Sequence, residues 1–288
     1  MYLQNELLLS IPLVVYVCLR IRSLIVNKVL KNLSTALFIL LAAGYPVAEW
    51  MSHGTGDGWA DAAILIGYDA LPLMLYLIMA VVLADIVIGA LRLSRILSKE
   101  TVRSTRFRRR RLALVLVIPA LVVIYGIVNH NVLRVQEYRI DVPRRSSPSE
   151  GLTVVFMADL HFRHLTPGRF LDKLAAKVNA QKPDIILLGG DILEGDRRDE
   201  DTGRYERMFR RMTSKYGIYG VPGNHERFSR TGRGDFFARA GIRLLQDEVE
   251  TIDGAFVLAG RKDARSRNRM TVDQLLSTAP DDLPVFLL

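Results

Sequence analysis

The chain falls into two halves by the spacing of its apolar residues. Before Asn129, Leu, Val, Ile and Ala run together for long stretches broken by short charged patches; after Gly151, short apolar runs alternate with polar segments. A helix needs about 20 apolar residues to cross the hydrocarbon core of a bilayer. Four stretches offer that length: Leu7–Val26, Leu33–Met51, Ala62–Leu91 and Leu112–Asn129. The first contains Arg20 and Arg22, whose stems must carry their charges to the interface. The third is longer than needed and is expected to tilt or to leave its first turns among the headgroups. The fourth is free of charge, and Pro119 within it predicts a kink of the kind neighbouring helices tolerate. Asp85 lies inside the third stretch, and the plainer expectation for it is a polar contact to a neighbouring helix or to a nearby arginine.

Charge sharpens this division. The formal net charge is +9, and residues 1–150 carry 17 Lys/Arg against 10 Asp/Glu while residues 151–288 carry 22 against 20. The basic excess belongs to the apolar half, which argues against nucleic acid as a partner, since a folded binding domain should then carry the basic face. Arg20 and Arg22 at the end of the first stretch, with Lys28 and Lys31, make the first turn basic, and Arg92 through Arg111 lie between the last two; Glu49 at the end of the second stretch, with Asp57 and Asp61, makes the turn to the third acidic. The positive-inside rule places the basic loops in the cytoplasm and both ends of the chain outside it. Trp50 and Trp59 flank the acidic loop, as an aromatic belt at the outer interface requires. The expectation is a multi-pass protein of the cell (inner) membrane, with everything after Gly151 extracytoplasmic. The run Phe107–Arg111 is expected to anchor that topology. The single cysteine, Cys18, excludes an intrachain disulfide. The start of the chain lacks a basic segment and a small-residue cleavage site, so the first stretch reads as a retained helix.

From Gly151 the pattern is that of an α/β domain. LTVVFMAD and DIILLGGD read as buried strands, with a helix between them over Gly168–Gln181. Thr202–Lys215 reads as a second helix, YGIYGVPGNHE as a third strand, Phe236–Ala240 as helix, and IRLL and ETIDGAFVLAG as strand-like. TVDQLLS reads as a short helix before a last strand, PVFLL. Strands alternating with helices predict a largely parallel or mixed sheet. The implied organisation is a four-helix transmembrane domain over 1–130, a juxtamembrane linker over 131–150, and an α/β domain over 151–288.

Three short motifs follow successive strands: Asp159-Leu160-His161, Gly189-Gly190-Asp191 and Gly223-Asn224-His225-Glu226. Ligands bind beyond the carboxyl ends of strands in open α/β sheets, so the three should converge at one edge. Carboxylates, imidazole and a side-chain amide form a mixed O/N donor set, which suits a pair of ions such as Mn, Fe or Zn better than a lone Mg or Ca. The glycines before Asp191 and Asn224 permit tight turns.

These motifs, in this order, resemble those of the calcineurin-like metallophosphoesterases, in particular a bacterial branch with N-terminal membrane helices. GRKDARSRNR is similar to a further segment of that branch. The resemblance implies an α/β/β/α sandwich and two divalent metal ions. It implies that Asp159 and His161 bind the first ion, Asp191 bridges, and Asn224 binds the second. His225 is then placed beside the substrate phosphate as general acid or charge stabiliser. The implied activity is metal-assisted hydrolysis of a phosphodiester, pyrophosphate or phosphomonoester at the outer membrane surface. The short linker from Asn129 keeps the site near that surface, which favours a lipid-linked substrate.

The resemblance also implies a histidine after PVFLL and then a Gly-His-x-His element, whereas the sequence ends at Leu288. The expectation is therefore a C-terminally truncated domain, inactive as it stands. The competing expectation is a catalytically incompetent membrane scaffold or sensor with a degenerate domain. His164, three residues after the first motif, reads as a surface-loop histidine.

Overall fold

A computed structural model describes residues 2–52, 58–142, 151–163, 165–194, 202–227 and 233–288. His164, Asp57 and the polar end of the linker, 143–150, lie outside the described residues. The chain divides into two compact units, Met1–Val132 and Leu133–Leu288.

The first unit is helical: α1 (Tyr2–Leu24), α2 (Lys28–Ser52), α3 (Gly58–Leu93), α4 (Lys99–Arg103) and α5 (Thr105–His130). Among the described residues, three segments are long and apolar enough to cross a membrane, Lys28–Met51, Trp59–Leu93 and Thr105–His130. The expected first span coincides with α1, which those three do not include. The short α4 went unrecognised in the sequence; Ser98 caps it by accepting from Thr101 N, and Ser104 caps α5 by accepting from Phe107 N. Such caps satisfy backbone donors that a helix start otherwise leaves open.

Small residues let α2 and α3 approach. A Cβ added at Gly67 would stand 2.4 Å from Ala48 Cβ and 2.5 Å from Gly44 O, and one at Gly44 would stand 3.0 Å from Ala70 Cβ. Apolar tails supply no drive for helices to associate within lipid, so close backbone packing of this kind matters there. Leu37, Leu40, Ile66, Leu83 and Ile86 are each more than three-fifths exposed, an apolar surface that water does not favour.

The second unit is built on two sheets. β1 (Val154–Met157), β2 (Ile185–Leu188), β3 (Ile218–Gly220) and β4 (Ile242–Leu244) form a wholly parallel sheet in chain order. The crossovers are α6 (Gly168–Ala180), α7 (Gly203–Arg210) and α8 (Arg233–Ala240). All three helices pack on one face: Leu171, Leu174 and Val178 of α6, Tyr205 and Phe209 of α7 and Phe236 of α8 share a core with Ile186 and Leu188. Strand side chains alternate in direction, so Ile185 and Leu187 point the other way, into a second core with Leu245, Ile252, Phe256 and Leu258. That core belongs to the second sheet, β5 (Glu248–Ile252), β6 (Phe256–Gly260) and β7 (Val285–Leu287). β2 is therefore covered on both sides, which accounts for its unbroken apolar sequence.

The stretch read as one strand-like segment, ETIDGAFVLAG, is an antiparallel hairpin of β5 and β6. Asp253 and Gly254 at its turn have φ of 51° and 64°, the two positive values that a tight hairpin turn requires. The helix expected over Thr202–Lys215 ends at Arg210. Asn179 Oδ1 accepts the Thr213 N–H at 2.9 Å and so draws the following residues out of the helix. A capping box between Thr271 and Gln274 opens α9 (Val272–Leu276), and β7 then pairs parallel with β6.

Candidate metal centre

The first two motifs are laid side by side by an extension of the β1–β2 ladder. Beyond Met157 and Leu188 the chains continue to pair: Gly189 N donates to Met157 O, Asp159 N to Gly190 O, His161 N to Asp191 O and Phe162 N to Ile192 O, all within 2.8–3.0 Å. This pairing is not ordinary strand. Asp159, His161 and Asp191 have φ of 53°, 46° and 53°, three of the seven non-glycine residues with positive φ among the described residues, and Gly190 has φ of 93°. Left-handed backbone at non-glycine residues costs energy and is kept where surrounding structure dictates it, commonly at functional sites.

The third motif closes over the second through glycine and glutamate. A Cβ at Gly223 would lie 2.2 Å from Asp191 Oδ1 and 2.4 Å from Asp191 N, and one at Gly190 would lie 2.7 Å from Gly223 N. Neither loop has room for a side chain there. Glu226, in a short 3-10 helix (His225–Arg227), is 2% exposed. Its Oε2 accepts from Gly223 N at 2.8 Å and Asp191 N at 3.1 Å, and its Oε1 accepts from Ile192 N at 2.6 Å and Leu193 N at 3.1 Å. Four backbone amides thus satisfy one buried carboxylate, which staples the loop after β2 to the loop after β3. The backbone N–H of His225 donates to Asp191 Oδ1 at 2.8 Å and completes the junction.

Within this frame His161, Asp191 and His225 each aim one metal-ligating atom at a common point, the three atoms lying within 4.8 Å of one another. The two imidazoles meet edge to face with ring centroids 4.7 Å apart. Asp159 stands at the margin, 73% exposed, with Oδ1 3.7 Å from His161 Nε2. Asn224 lies half-buried in the turn between Gly223 and His225.

Glu194 was not singled out in the sequence, yet its carboxylate orients the His161 ring and its backbone oxygen lies 3.4 Å from His225 Nδ1. Its Oε2 lies 2.6 Å from His161 Nδ1, and its Oε1 accepts from Arg163 Nη2 at 3.0 Å and lies 3.6 Å from His225 Nδ1. An imidazole whose Nδ1 is engaged by a carboxylate presents Nε2 outward, the arrangement in which histidine commonly binds metal. The only sequence signal for Glu194 was its place three residues after Asp191, which by itself carries no meaning. Glu226 was visible in the GNHE motif, but its role depends on a contact from another loop.

Two imidazoles and a carboxylate oriented in this way fit a divalent transition ion by the chemistry of their donors. Comparison with known proteins agrees. Residues 152–278 match the calcineurin-like phosphoesterase family. Those residues, in the second half of the chain, form a calcineurin-like phosphoesterase domain. An uncharacterized metallophosphoesterase of Aquifex aeolicus is 26% identical over 147 residues, which cover 50% of this chain and 55% of that protein. A UDP-2,3-diacylglucosamine pyrophosphatase of Chlamydia trachomatis is 30% identical over 96 residues, 33% of this chain and 29% of its own length. A transmembrane protein with a metallophosphoesterase domain from Danio rerio is 26% identical over 276 residues, 88% of this chain and 60% of that protein. The chain thus spans about half the length of the first of these relatives and under a third of the second. No solved structure matches it. Calcineurin-like phosphoesterases use a dinuclear metal centre, and the His/Asp cluster lies within the matched residues.

Proposed function

We propose that the protein is a membrane-anchored, metal-dependent phosphoesterase acting on a phosphodiester or pyrophosphate at the outer membrane surface. The observation that carries this reading is the convergence of His161, Asp191 and His225 where two strands end in strained backbone. In this reading Asp159, His161 and Asp191 would hold one divalent ion, and Asp191 and Asn224 would contribute to holding a second. Ions held there supply Lewis-acid activation of water and offset charge on the phosphoryl oxygens. His225, tied to Asp191 through its backbone, stands beside the substrate phosphate, where its ring can donate a proton to the leaving oxygen or offset charge. Glu194 keeps the His161 ring turned toward the ions, and Glu226 keeps Asp191 in place.

In the same reading α1 is a fourth span, with Arg20 and Arg22 at its interfacial end, and the fold is the α/β side of an α/β/β/α sandwich. Trp50 and Trp59, 79% and 70% exposed, stand at the α2 and α3 ends that face outward in this topology. A lipid-linked pyrophosphate is favoured by the short stretch of sequence that joins the domain to its anchor. The name of the Chlamydia relative, a pyrophosphatase acting on a diacylated sugar nucleotide, supports the same class.

Hydrolysis of bis-p-nitrophenyl phosphate by the full-length protein in detergent with Mn²⁺ tests the chemistry. Activity should vanish with EDTA and fall at least about a hundredfold in Asp191→Asn; undiminished activity in that variant overturns the metal assignment. An alkaline phosphatase fused after Leu288 should be active and a cytoplasm-dependent reporter silent, and the reverse pair overturns the topology.

A further inference from the structure

The segment 261–270, which the site does not use, is a closed basic loop. It carries Arg261, Lys262, Arg265, Arg267 and Arg269 against a single acid, Asp263. Its two ends are clamped by one carboxylate. Asp247 Oδ1 accepts from Lys262 N at 3.1 Å, while Oδ2 accepts from Met270 N at 3.3 Å and pairs with Lys262 Nζ at 3.0 Å. Arg261 adds a second closure by donating from Nη2 to Met270 O at 2.7 Å. Between these clamps Arg265, Arg267 and Arg269 are exposed and make no ion pair among the described residues. Exposed guanidiniums without a carboxylate partner are free to donate charge-assisted hydrogen bonds to a phosphate.

Position makes this more than a solvated face. The loop leaves β6 at Gly260, and a Cβ on Gly260 would lie 2.2 Å from Leu245 Cβ and 3.1 Å from Val221 Cγ1. Leu245 directly follows β4, and Val221 directly follows β3 and leads into Pro222-Gly223-Asn224-His225. The carboxyl ends of β3, β4 and β6 therefore meet at one edge. The basic loop rises from the same edge as the His161–Asp191–His225 cluster, and both lie within the second unit.

We infer that Arg265, Arg267 and Arg269 form a subsite for a second phosphate, adjacent to the one that is cleaved. The preferred substrate class is then a pyrophosphate diester, not a simple monoanionic diester. This rests on the proposed phosphoesterase reading of the site and adds the specificity that the metal cluster alone does not supply. Asp247 is the positioning residue that holds the loop.

The test compares the full-length protein with an Arg265→Gln/Arg267→Gln/Arg269→Gln variant, in detergent with Mn²⁺, on bis-p-nitrophenyl phosphate and on a dialkyl pyrophosphate. The variant should raise KM for the pyrophosphate at least about tenfold, the loss of one to two charge-assisted contacts. KM for bis-p-nitrophenyl phosphate should move less than about twofold. Equal changes on both substrates, or none on either, overturn the subsite. Binding of methylenediphosphonate by calorimetry gives a readout without turnover, and unchanged affinity in the variant overturns the subsite on its own. A soluble pyrophosphate diester affected as strongly as the dialkyl one assigns the contact to the phosphate and not to the lipid surface. Absence of hydrolysis sensitive to Asp191→Asn, with diphosphonate binding still dependent on the arginines, sinks the phosphoesterase reading while leaving the anion site.

Discussion

Glu226 holds Asp191 by its backbone: Glu226 Oε2 accepts the Asp191 N–H at 3.1 Å, while the other oxygen takes the next two amides of the same loop. With the carboxylate 2% exposed, no water can replace those bonds. Glu226→Gln puts an amide NH₂ against backbone donors and leaves buried N–H groups unmet, which costs about 2–3 kcal/mol. Chemical denaturation of the variant should show that loss, together with weaker Mn²⁺ binding as Asp191 drifts. Wild-type stability in Glu226→Gln would mean that the two loops hold their shape without the staple.

Gly223→Ala should disable the site with little general damage. The new Cβ would be driven against Asp191 Oδ1 and N at 2.2 and 2.4 Å, so one of the two loops must shift. A displacement on the order of 1 Å at a catalytic group can cost about a hundredfold in rate. The control is Gly168→Ala at the start of α6, where nothing lies within 4 Å of the added Cβ. That variant should keep its activity and change stability by less than about 1 kcal/mol. Comparable activity in the two alanine variants would contradict the close packing of the third motif on the second.

Much of this was legible in the sequence, and the misses have physical reasons. β1, α6 and β2 could be read because a doubly covered parallel strand writes itself as an apolar run and an amphipathic helix as a 3.6-residue period. The three motifs could be placed at one edge because parallel strands in chain order present their carboxyl ends together. Asp253-Gly254 carried a hairpin signal in plain view, yet the apolar residues on both sides of it suggested one continuous segment. The end of α7 was misjudged because Asn179, on another helix, captures Thr213. Glu194 and Glu226 act across loops distant in sequence, and no local pattern marks such contacts. Asp85 was read as making a polar contact to a neighbouring helix or a nearby arginine, and it pairs with Arg20 and Arg111; which arginines these would be was not legible, since they lie on two other helices.

Acid should loosen the basic loop. Burial by itself pushes the Asp247 carboxyl up, but the backbone and ammonium N–H groups of Lys262 and the N–H of Met270 outweigh it and hold the group below the usual aspartate range. A carboxyl depressed in the folded state contributes stability that is fully present above its unfolded pKa of about 3.9 and is lost as pH falls through the folded value. Unfolding midpoints measured from about pH 6 downward should therefore decline more steeply in the wild type than in Asp247→Asn, which lacks the titrating group. At about pH 6 the variant should already be less stable and should show a raised KM for pyrophosphate diesters with kcat little changed. Parallel pH profiles for the two proteins would show that the clamp contributes no pH-linked stability.

The last prediction concerns the helical unit, where Asp85 of α3 ties together three helices. Its carboxylate accepts from Arg20 of α1 and Arg111 of α5, and from Tyr16 of α1 at 2.5 Å. The side chains of Asp85 and Arg111 are 15% and 8% exposed, and Arg111 Nε has no partner of its own. Breaking a buried pair from one side leaves an uncompensated charge and costs about 3–5 kcal/mol, whereas replacing both partners with apolar residues is often neutral. Asp85→Asn should therefore destabilise the bundle by about 3 kcal/mol. Asp85→Leu combined with Arg111→Met should recover most of that, the half-exposed Arg20 being able to turn toward water or headgroups. Both tryptophans of the protein, Trp50 and Trp59, lie in this unit, so their fluorescence during denaturation in micelles reports on the bundle alone. A double variant less stable than Asp85→Asn would show that the ion cluster is a net source of stability; Asp85→Asn unfolding like the wild type would show that it ties nothing together.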